Sequence, residues 1–396
     1  MRHLARPLTV RSLNVETTRK VTWLELFFDL IFVAAVSQVA APLRADYSLA
    51  GLVRFAPLFA LIWWAWTGNT VFSTRFDTDD IVQRGLTLVQ MFAVAVMAAN
   101  AQDALDSESS AGFAAAYAAV RLVLVAQYFR ASRLPAARPL AMRYLAGHGA
   151  AALVWLASAV VPAPERFWLW AAAFAIDLGT PWLTVRHSVA VPPDAAHLPE
   201  RFGLFMLILL GESVIAVMQG IESQEDWTPV AATSAFLGMS VSFLIWWWYF
   251  DGARGAAEQP VRSRRDALRF HVWSYAHFPL SFAVVVTGVG VQRIVTAAAR
   301  AALPPLETAI LAAAVATVMM AIAIVGMTSA GRQHRGSAFG AHAGLALAML
   351  AIVIGGRVES PLALIVTITA ACALQLAVSL RPPTHAPRLA VAAVPR

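Results

Sequence analysis

Long apolar segments separated by short polar loops recur along the whole chain. A helix needs about 20 mostly apolar residues to cross a bilayer, and about twelve segments meet that requirement. They lie near 21–41, 51–72, 84–101, 111–130, 145–162, 165–185, 202–220, 230–250, 272–292, 306–328, 338–355 and 359–380. The third, fifth and eleventh are short or weakly bounded, and 340–380 is also compatible with one span and a re-entrant piece. The pattern predicts an all-α, polytopic transmembrane helix bundle of about 12 spans.

The composition agrees with this fold class and narrows the function. Hydrophobic residues make up 59% of the chain and charged residues 13%, whereas soluble domains are roughly one quarter charged. The net charge of +7 comes from basic residues scattered over short loops, so nucleic acid is not an expected partner. The single cysteine, Cys372, excludes a disulfide within the chain. The sequence has no phosphate-binding glycine loop, hydrolase signature or zinc spacing, which argues against an enzyme and predicts no metal and no cofactor.

The positions of Lys and Arg predict how the bundle is inserted. If residues 1–20 form a basic cytoplasmic tail, most basic residues fall in loops on the cytoplasmic side, as the positive-inside rule requires. The outer loops 100–110 and 222–227 are acidic. The arginines left on the outer side are Arg44, Arg54, Arg166, Arg293, Arg300 and Arg357. We therefore predict a multi-pass protein of the plasma membrane with both termini cytoplasmic.

Two features of the chain recur at one offset. Asp29 and Glu212 are 183 residues apart, and so are the aromatic clusters at 63–66 and 246–249. This spacing indicates two parallel six-span halves, 21–195 and 196–380, followed by a cytoplasmic tail at 381–396. Parallel repeats of this kind occur in one class of transporters. Because tryptophan is abundant in this chain, coincidence is the alternative explanation.

Two carboxylates stand within the first apolar segment. Glu25 and Asp29 are four residues apart and therefore share one face of a helix. A charge held in the membrane costs at least a few kcal/mol, so such residues usually mark a pathway or a paired site. For Glu25 an interfacial position is the simpler interpretation. For Asp29 a structural partner is the alternative to a functional role.

Glu212 is a third carboxylate at membrane depth. It lies about ten residues inside the seventh segment, and Gln219 follows on the same face. A carboxyl group in apolar surroundings can stay protonated near neutral pH. That property suits proton coupling, and it equally suits a hydrogen-bonded structural residue. The neighbouring Gly211 leaves room for close approach of another helix.

Three further ionisable side chains, Arg121, Asp177 and His277, lie within predicted spans. Arg121 stays charged and therefore needs a partner or water. A salt bridge to Asp177, Asp29 or Glu212 is the preferred interpretation, and a site for an anionic substrate is the alternative. His277 either packs with hydrogen bonds or relays protons.

The tryptophan clusters have two interpretations. Aromatic residues near the end of a span typically form an interfacial belt, which is the preferred one here. The alternative is a surface on which a cation or a ring-bearing ligand stacks.

Two segments carry a resemblance to a known family. LELFFDLIFVAAVSQ (24–38) resembles the first motif of the bacterial low temperature requirement A family, and ERFGLFMLILLGESVIAV (200–217) resembles its second. The resemblance implies a many-spanned protein of the bacterial inner membrane, tied by name to growth in the cold. It implies no particular activity or substrate. The matching positions are Glu25, Phe28, Asp29, Gly211 and Glu212.

These features together predict a proton- or cation-coupled secondary transporter that uses Asp29 and Glu212. Arg121, Asp177 and His277 would tune or gate these acids, and Glu25 and Gln219 are further candidates. The expected partners are membrane lipids and a small solute or ion, and the sequence indicates neither the solute nor the oligomeric state. One alternative is a non-transporting membrane protein for lipid or cold adaptation. A weaker one is an intramembrane enzyme that acts on a lipid.

Overall fold

Helices make up nearly all of the part of the chain that the computed structural model describes. The described residues are 8–10, 21–77, 80–106, 109–224, 228–253, 257–297, 302–328, 335–356 and 360–380. The predicted cytoplasmic tails, 1–20 and 381–396, fall almost entirely outside them, and so do parts of the predicted acidic loops.

Within these residues the chain forms thirteen α-helices, and all but the seventh are 19 residues or longer. The helices are α1 (Trp23–Ala45), α2 (Leu49–Arg75), α3 (Ile81–Ala99), α4 (Ser110–Ala131), α5 (Arg138–Val160), α6 (Glu165–Leu183), α7 (Val185–Ser188), α8 (His197–Glu222), α9 (Pro229–Trp247), α10 (Arg264–Thr296), α11 (Pro305–Thr328), α12 (Arg335–Ile354) and α13 (Pro361–Leu380). A π-helical turn, Trp248–Gly252, continues α9. Two short strands, β1 (Thr9–Val10) and β2 (Phe76–Asp77), pair antiparallel beside the end of α2.

The long helices coincide with the apolar segments, and this confirms the predicted all-helical membrane bundle. Nine of the described helices are long and apolar enough to cross a membrane. The remaining long helices, α5, α6 and α12, do not reach that level, so twelve crossings are not confirmed. The nine are α1 to α4, α8, α9 with its π-helical turn, α10, α11 and α13.

The start of α1 is fixed by a local hydrogen-bond pattern. The Thr22 hydroxyl oxygen accepts from the backbone N–H of Glu25 at 3.3 Å. In return the Glu25 carboxylate accepts from the Thr22 backbone N–H at 2.8 Å. Two backbone donors that the first turn would otherwise leave free are satisfied in this way. Glu25 is thereby held in the first turn, one turn before Asp29.

Helices α1 and α8 are neighbours within the bundle. Helix α1 packs against α2, α3 and α8, and α8 in turn packs against α9 and α10. From there the neighbours follow the chain: α3, α4, α5 and α6 pack in sequence, and so do α10, α11, α12 and α13. Because α1 and α8 touch each other, the two family-like motifs share one interface.

Candidate functional site

The first feature of the α1–α8 interface is a buried ion pair. Asp29 is fully buried on α1, and Arg201 is fully buried in the first turns of α8. Arg201 donates from Nη2 to Asp29 Oδ1 at 2.5 Å and from Nε to Asp29 Oδ2 at 3.1 Å. The Trp66 indole N–H donates to Oδ1 at 2.8 Å. Two-pronged pairing by arginine and a third donor are the conditions under which a buried carboxylate can remain charged.

Glu25 extends this pair by one helical turn. Its Oε1 lies 3.5 Å from Nη1 of the same Arg201, and its Oε2 lies 3.4 Å from His197 Nε2. His197 and Arg201 are themselves one turn apart on α8. We call Glu25, Asp29, Trp66, His197 and Arg201 the Asp29 cluster. Glu25 is therefore part of a charged contact between helices as well as a residue of the first turn.

The second feature of the interface is a pair that is partly exposed. Glu212 Oε1 accepts from the Ser37 hydroxyl at 2.9 Å and from Arg44 Nη1 at 3.0 Å. Arg44 also donates from Nη2 to the Ser37 carbonyl oxygen at 3.0 Å. The side chains of Arg44 and Glu212 keep 19% and 11% of their surface exposed, whereas those of Asp29 and Arg201 keep 0% and 1%. We call the ion pair of Arg44 and Glu212, together with the Ser37 hydroxyl that binds Glu212, the Glu212 pair.

The structure places Asp29 and Glu212 in different pairs at different levels of one interface. Ser37, which binds Glu212, lies eight residues after Asp29, about 12 Å further along α1 at 1.5 Å per residue. Residue numbers increase in the same direction on both helices, so α1 and α8 run parallel. The two acids therefore do not form one site.

Arg121 finds its partner inside the first six helices. Its Nε lies 2.8 Å from Asp177 Oδ2, and both side chains are fully buried. Asp177 also binds His148 Nδ1 at 2.9 Å, and the Tyr117 hydroxyl contacts Arg121. The preferred interpretation of Arg121, a salt bridge to one of the three carboxylates Asp177, Asp29 and Glu212, is confirmed, and the partner is Asp177. The pair connects α4 with α6, and His148 adds α5 to the same contact.

The other two predicted candidates lie away from the Asp29 cluster and the Glu212 pair. His277 is fully buried on α10, and both ring nitrogens have partners, the Trp273 carbonyl oxygen at 2.8 Å and the Tyr249 hydroxyl at 2.9 Å. These contacts are those of a hydrogen-bonded packing residue. Gln219 is exposed and meets Gln292 at 3.4 Å.

Two expectations from the sequence are wrong. Trp63, Trp64 and Trp66 do not form an interfacial belt, since each is at most 4% exposed inside the bundle. Their helix, α2, packs against four others (α1, α4, α8 and α10), so few of its faces meet lipid. In the second cluster Trp248 and Tyr249 are also buried, whereas Trp247 is 36% exposed, so the belt interpretation fails only in part there. Gly211 has open space around it, and the close contact between α8 and α10 occurs instead at Gly288, where an added methyl group would stand 2.7 Å from the Ser213 hydroxyl oxygen.

Sequence reasoning missed the basic partners of both acids. It assigned Arg44 to an outer loop and Arg201 to the inner boundary, but both extend along their helices into the interface. One signal was available for Arg44, which stands two turns after Ser37 on one helix face. For Arg201 the spacing of four residues from His197 was the corresponding signal.

The comparison with known protein families covers both helices that carry these pairs. The family model of the bacterial low temperature requirement A protein (LtrA) matches residues 20–378. The chain belongs to the LtrA family. One LtrA relative, the uncharacterized protein RA0937 of Rhizobium meliloti (strain 1021), is 30% identical over 297 residues, which cover 71% of each chain. No solved structure matches the chain. Within this LtrA fold the two motifs are α1 and α8, so the matching positions Glu25, Asp29 and Glu212 all lie at one helix interface.

Proposed function

We propose that this LtrA-family protein is a proton- or cation-coupled carrier, and that the Glu212 pair is its coupling site. The observation that carries the proposal is a carboxylate within a span that is paired across two helices and still partly exposed. Holding a charge there is costly, which is why such residues usually serve ion pathways. Protonation of Glu212 removes the charge that Arg44 binds. The contact between α1 and α8 then weakens on that side, and a helix movement is coupled to ion uptake.

The helix arrangement supports a carrier built from two halves. Six long helices precede the short α7 and six follow it. In the first set α1 packs on α2 and α3, and in the second set α8 packs on α9 and α10. Helices α1 and α8 run parallel, as first helices of two parallel repeats would. Transporters with such repeats place their ion and solute sites at the interface between the repeats.

Asp29 takes a different role in this proposal. Its three donors and complete burial favour a permanently charged carboxylate that holds α1 against α8. The Asp29 cluster is then the fixed contact, and the Glu212 pair is the one that opens. Asp29 is thus a positioning residue, not the second coupling acid.

One observation favours the alternative, a non-transporting membrane protein for lipid or cold adaptation. Asp29 and Asp177 are both closed into buried ion pairs, as expected for a static bundle. The two functions differ in a measurable way, because only the carrier moves ions when a gradient is applied.

The test uses purified protein in liposomes loaded with dyes that respond to protons, sodium or potassium and exposed to a gradient of the matching ion. We expect an ion flux in the wild type that is lost in Glu212→Gln, which keeps size and hydrogen bonding but removes the charge. Glu222→Gln, an exposed change on the same helix, serves as the matched control and should leave the flux intact. A flux that survives Glu212→Gln refutes the coupling site, and a wild type without flux under all three gradients favours the static alternative.

A further inference from the structure

A cavity of about 40 Å³ is lined by residues of α2, α4, α5, α6 and α10. Its size suits a few water-sized groups. It is separate from the Asp29 cluster and from the Glu212 pair, and none of their residues line it. Its lining includes the side chains of Trp63, Trp64, Arg75, Tyr144, Ser274 and Tyr275.

Arg75 is the unusual member of this lining. It ends α2, it is 1% exposed, and its guanidinium lies 5.3 Å from the centre of the Tyr144 ring. Its Nη2 donates to the Ser188 hydroxyl at 3.2 Å. Its Nε and Nη1 form no hydrogen bond within the described part of the chain. Tyr128 and Tyr144 are its electrostatic and polar side-chain partners, and no carboxylate with a described side chain pairs with it.

Burying the Arg75 guanidinium without a carboxylate partner is costly in free energy. Arginine does not lose its proton in a protein, so it cannot escape the cost by becoming neutral. Removing a charge from water without a counter-charge costs several kcal/mol. Arg121 and Arg201 each meet a carboxylate. The buried Arg166 has no carboxylate among its described contacts, but its Nε, Nη1 and Nη2 all donate to carbonyl or hydroxyl oxygens, whereas Nε and Nη1 of Arg75 have no such acceptor. The Arg75 guanidinium is therefore suited to bind an anion that the described part of the chain does not supply.

Further hydrogen-bond donors line the same cavity without partners. The indole N–H groups of Trp63 and Trp64 and the hydroxyl group of Ser274 are buried and form no hydrogen bond among the described residues. An indole nitrogen is a donor only. With Arg75 the cavity therefore offers several donors and a positive charge, and its ligand must bring acceptor oxygens and a negative charge.

The walls select among anions. Aromatic side chains supply most of the lining, and the Trp64 and Tyr275 rings lie 5.4 Å apart. The planar guanidinium matches the two oxygens of a carboxylate in a two-pronged contact. A carboxylate attached to an apolar group or ring satisfies both the donors and the walls, whereas a phosphate presents polar oxygens on all sides.

We propose that this cavity binds a small organic carboxylate, with Arg75 holding the carboxylate group and the Trp63 and Trp64 indoles donating to it. The binding itself does not depend on the proposed function. If the carrier proposal holds, this is the site of its solute, since the cavity lies between helices of both halves.

The test measures equilibrium binding of radiolabelled acetate to the purified protein in detergent, with unlabelled acetate and inorganic phosphate as competitors. We expect saturable binding that Arg75→Gln weakens about tenfold or more, as loss of a charge-assisted hydrogen bond predicts. Arg133→Gln is the matched control, because Arg133 also lies over an aromatic ring, at 5.2 Å from that of Phe129, but is exposed. The affinity of the Arg133→Gln variant for acetate should equal that of the wild type.

Thermal unfolding gives a second readout. Without acetate, Arg75→Gln should unfold at the same or a higher temperature than the wild type, because an uncompensated charge is removed. Acetate should raise the unfolding temperature of the wild type and not that of the variant. If Arg75→Gln does not fold, Trp64→Phe replaces the indole, and with it the N–H donor, by a smaller ring and should weaken binding. Trp155→Phe, the same change at a buried tryptophan outside the cavity lining, should not.

Three results would overturn the proposal. They are no saturable binding to the wild type up to about 10 mM acetate, ten times a Kd of about 1 mM, equal affinity of wild type and both cavity variants, and stronger competition by phosphate than by unlabelled acetate. Because the measurement uses no gradient and leaves Glu212 unchanged, its failure and a failure of the flux experiment are independent.

Discussion

Replacing Asp29 with Asn should destabilise the fold through the loss of one specific charge. The Asn side chain keeps an oxygen for the Trp66 indole, but its amide group then faces Arg201 Nε, which is also a donor. Two unit charges about 4 Å apart attract by about 4 kcal/mol at an effective dielectric constant of 20. Breaking a buried pair from one side costs about 3–5 kcal/mol, because the other charge stays buried. We therefore expect a loss of about 3–4 kcal/mol in unfolding free energy.

A double-mutant cycle isolates the pair. Asp29→Asn, Arg201→Gln and the double variant are unfolded in mixed micelles with increasing denaturing detergent, and tryptophan fluorescence reports the transition. The double variant should lose less than the sum of the single variants, by about 2 kcal/mol or more, because the second substitution removes a charge that the first left unpaired. Arg54 and Asp106 supply the control pair, at 3.6 Å and mostly exposed.

The result that refutes this reasoning is additivity. If the single effects sum to that of the double variant within about 0.5 kcal/mol, Asp29 and Arg201 are not energetically coupled, and the Asp29 cluster is not the fixed contact between α1 and α8. The exposed pair should show coupling below about 1 kcal/mol, since water screens it.

Two packing predictions concern other contacts of the bundle. Gly147→Ala should lower stability by about 1–3 kcal/mol through overpacking, because the new methyl group would stand 2.2 Å from the Thr180 hydroxyl oxygen. Gly149→Ala, where the new methyl group meets open space, should be neutral or mildly stabilising. Thermal unfolding of both variants in detergent compares the two effects. Thr22→Ala should cost about 1 kcal/mol through the lost helix cap, and in the same assay Thr22→Ser, which keeps the hydroxyl, should restore most of it. Equal unfolding temperatures for the two glycine variants, or for the two Thr22 variants, would contradict these assignments.

The sequence located the helices but gave little information on which face of each helix points inward. In α1, Phe28 and Phe32 are buried, whereas Phe27 and Leu30 are each 54% exposed. All four are apolar, since a side chain that faces lipid must be apolar just as one in the core must be. A helix that is apolar on every side carries no stripe that marks its buried face. Periodicity could therefore predict spans and not their orientation.

The same limit explains the candidate site. Sequence alone identified Asp29, Glu212 and the ion pair of Arg121, because charges in apolar segments stand out and need partners. It could not show that Arg201 binds Asp29 or that Arg44 binds Glu212, since each partner is more than 160 residues away.

Arg75 shows most clearly what only the tertiary structure decided. By sequence it is one more basic residue at the end of a span, following Trp64, Gly68 and Val71 along one helix face. The fold buries it against the Tyr144 ring, and no carboxylate with a described side chain pairs with it. Whether an arginine at a span's end reaches water or a cavity depends on the helices packed around it. Those neighbours come from distant parts of the chain, so only the folded bundle sets the environment of this charge.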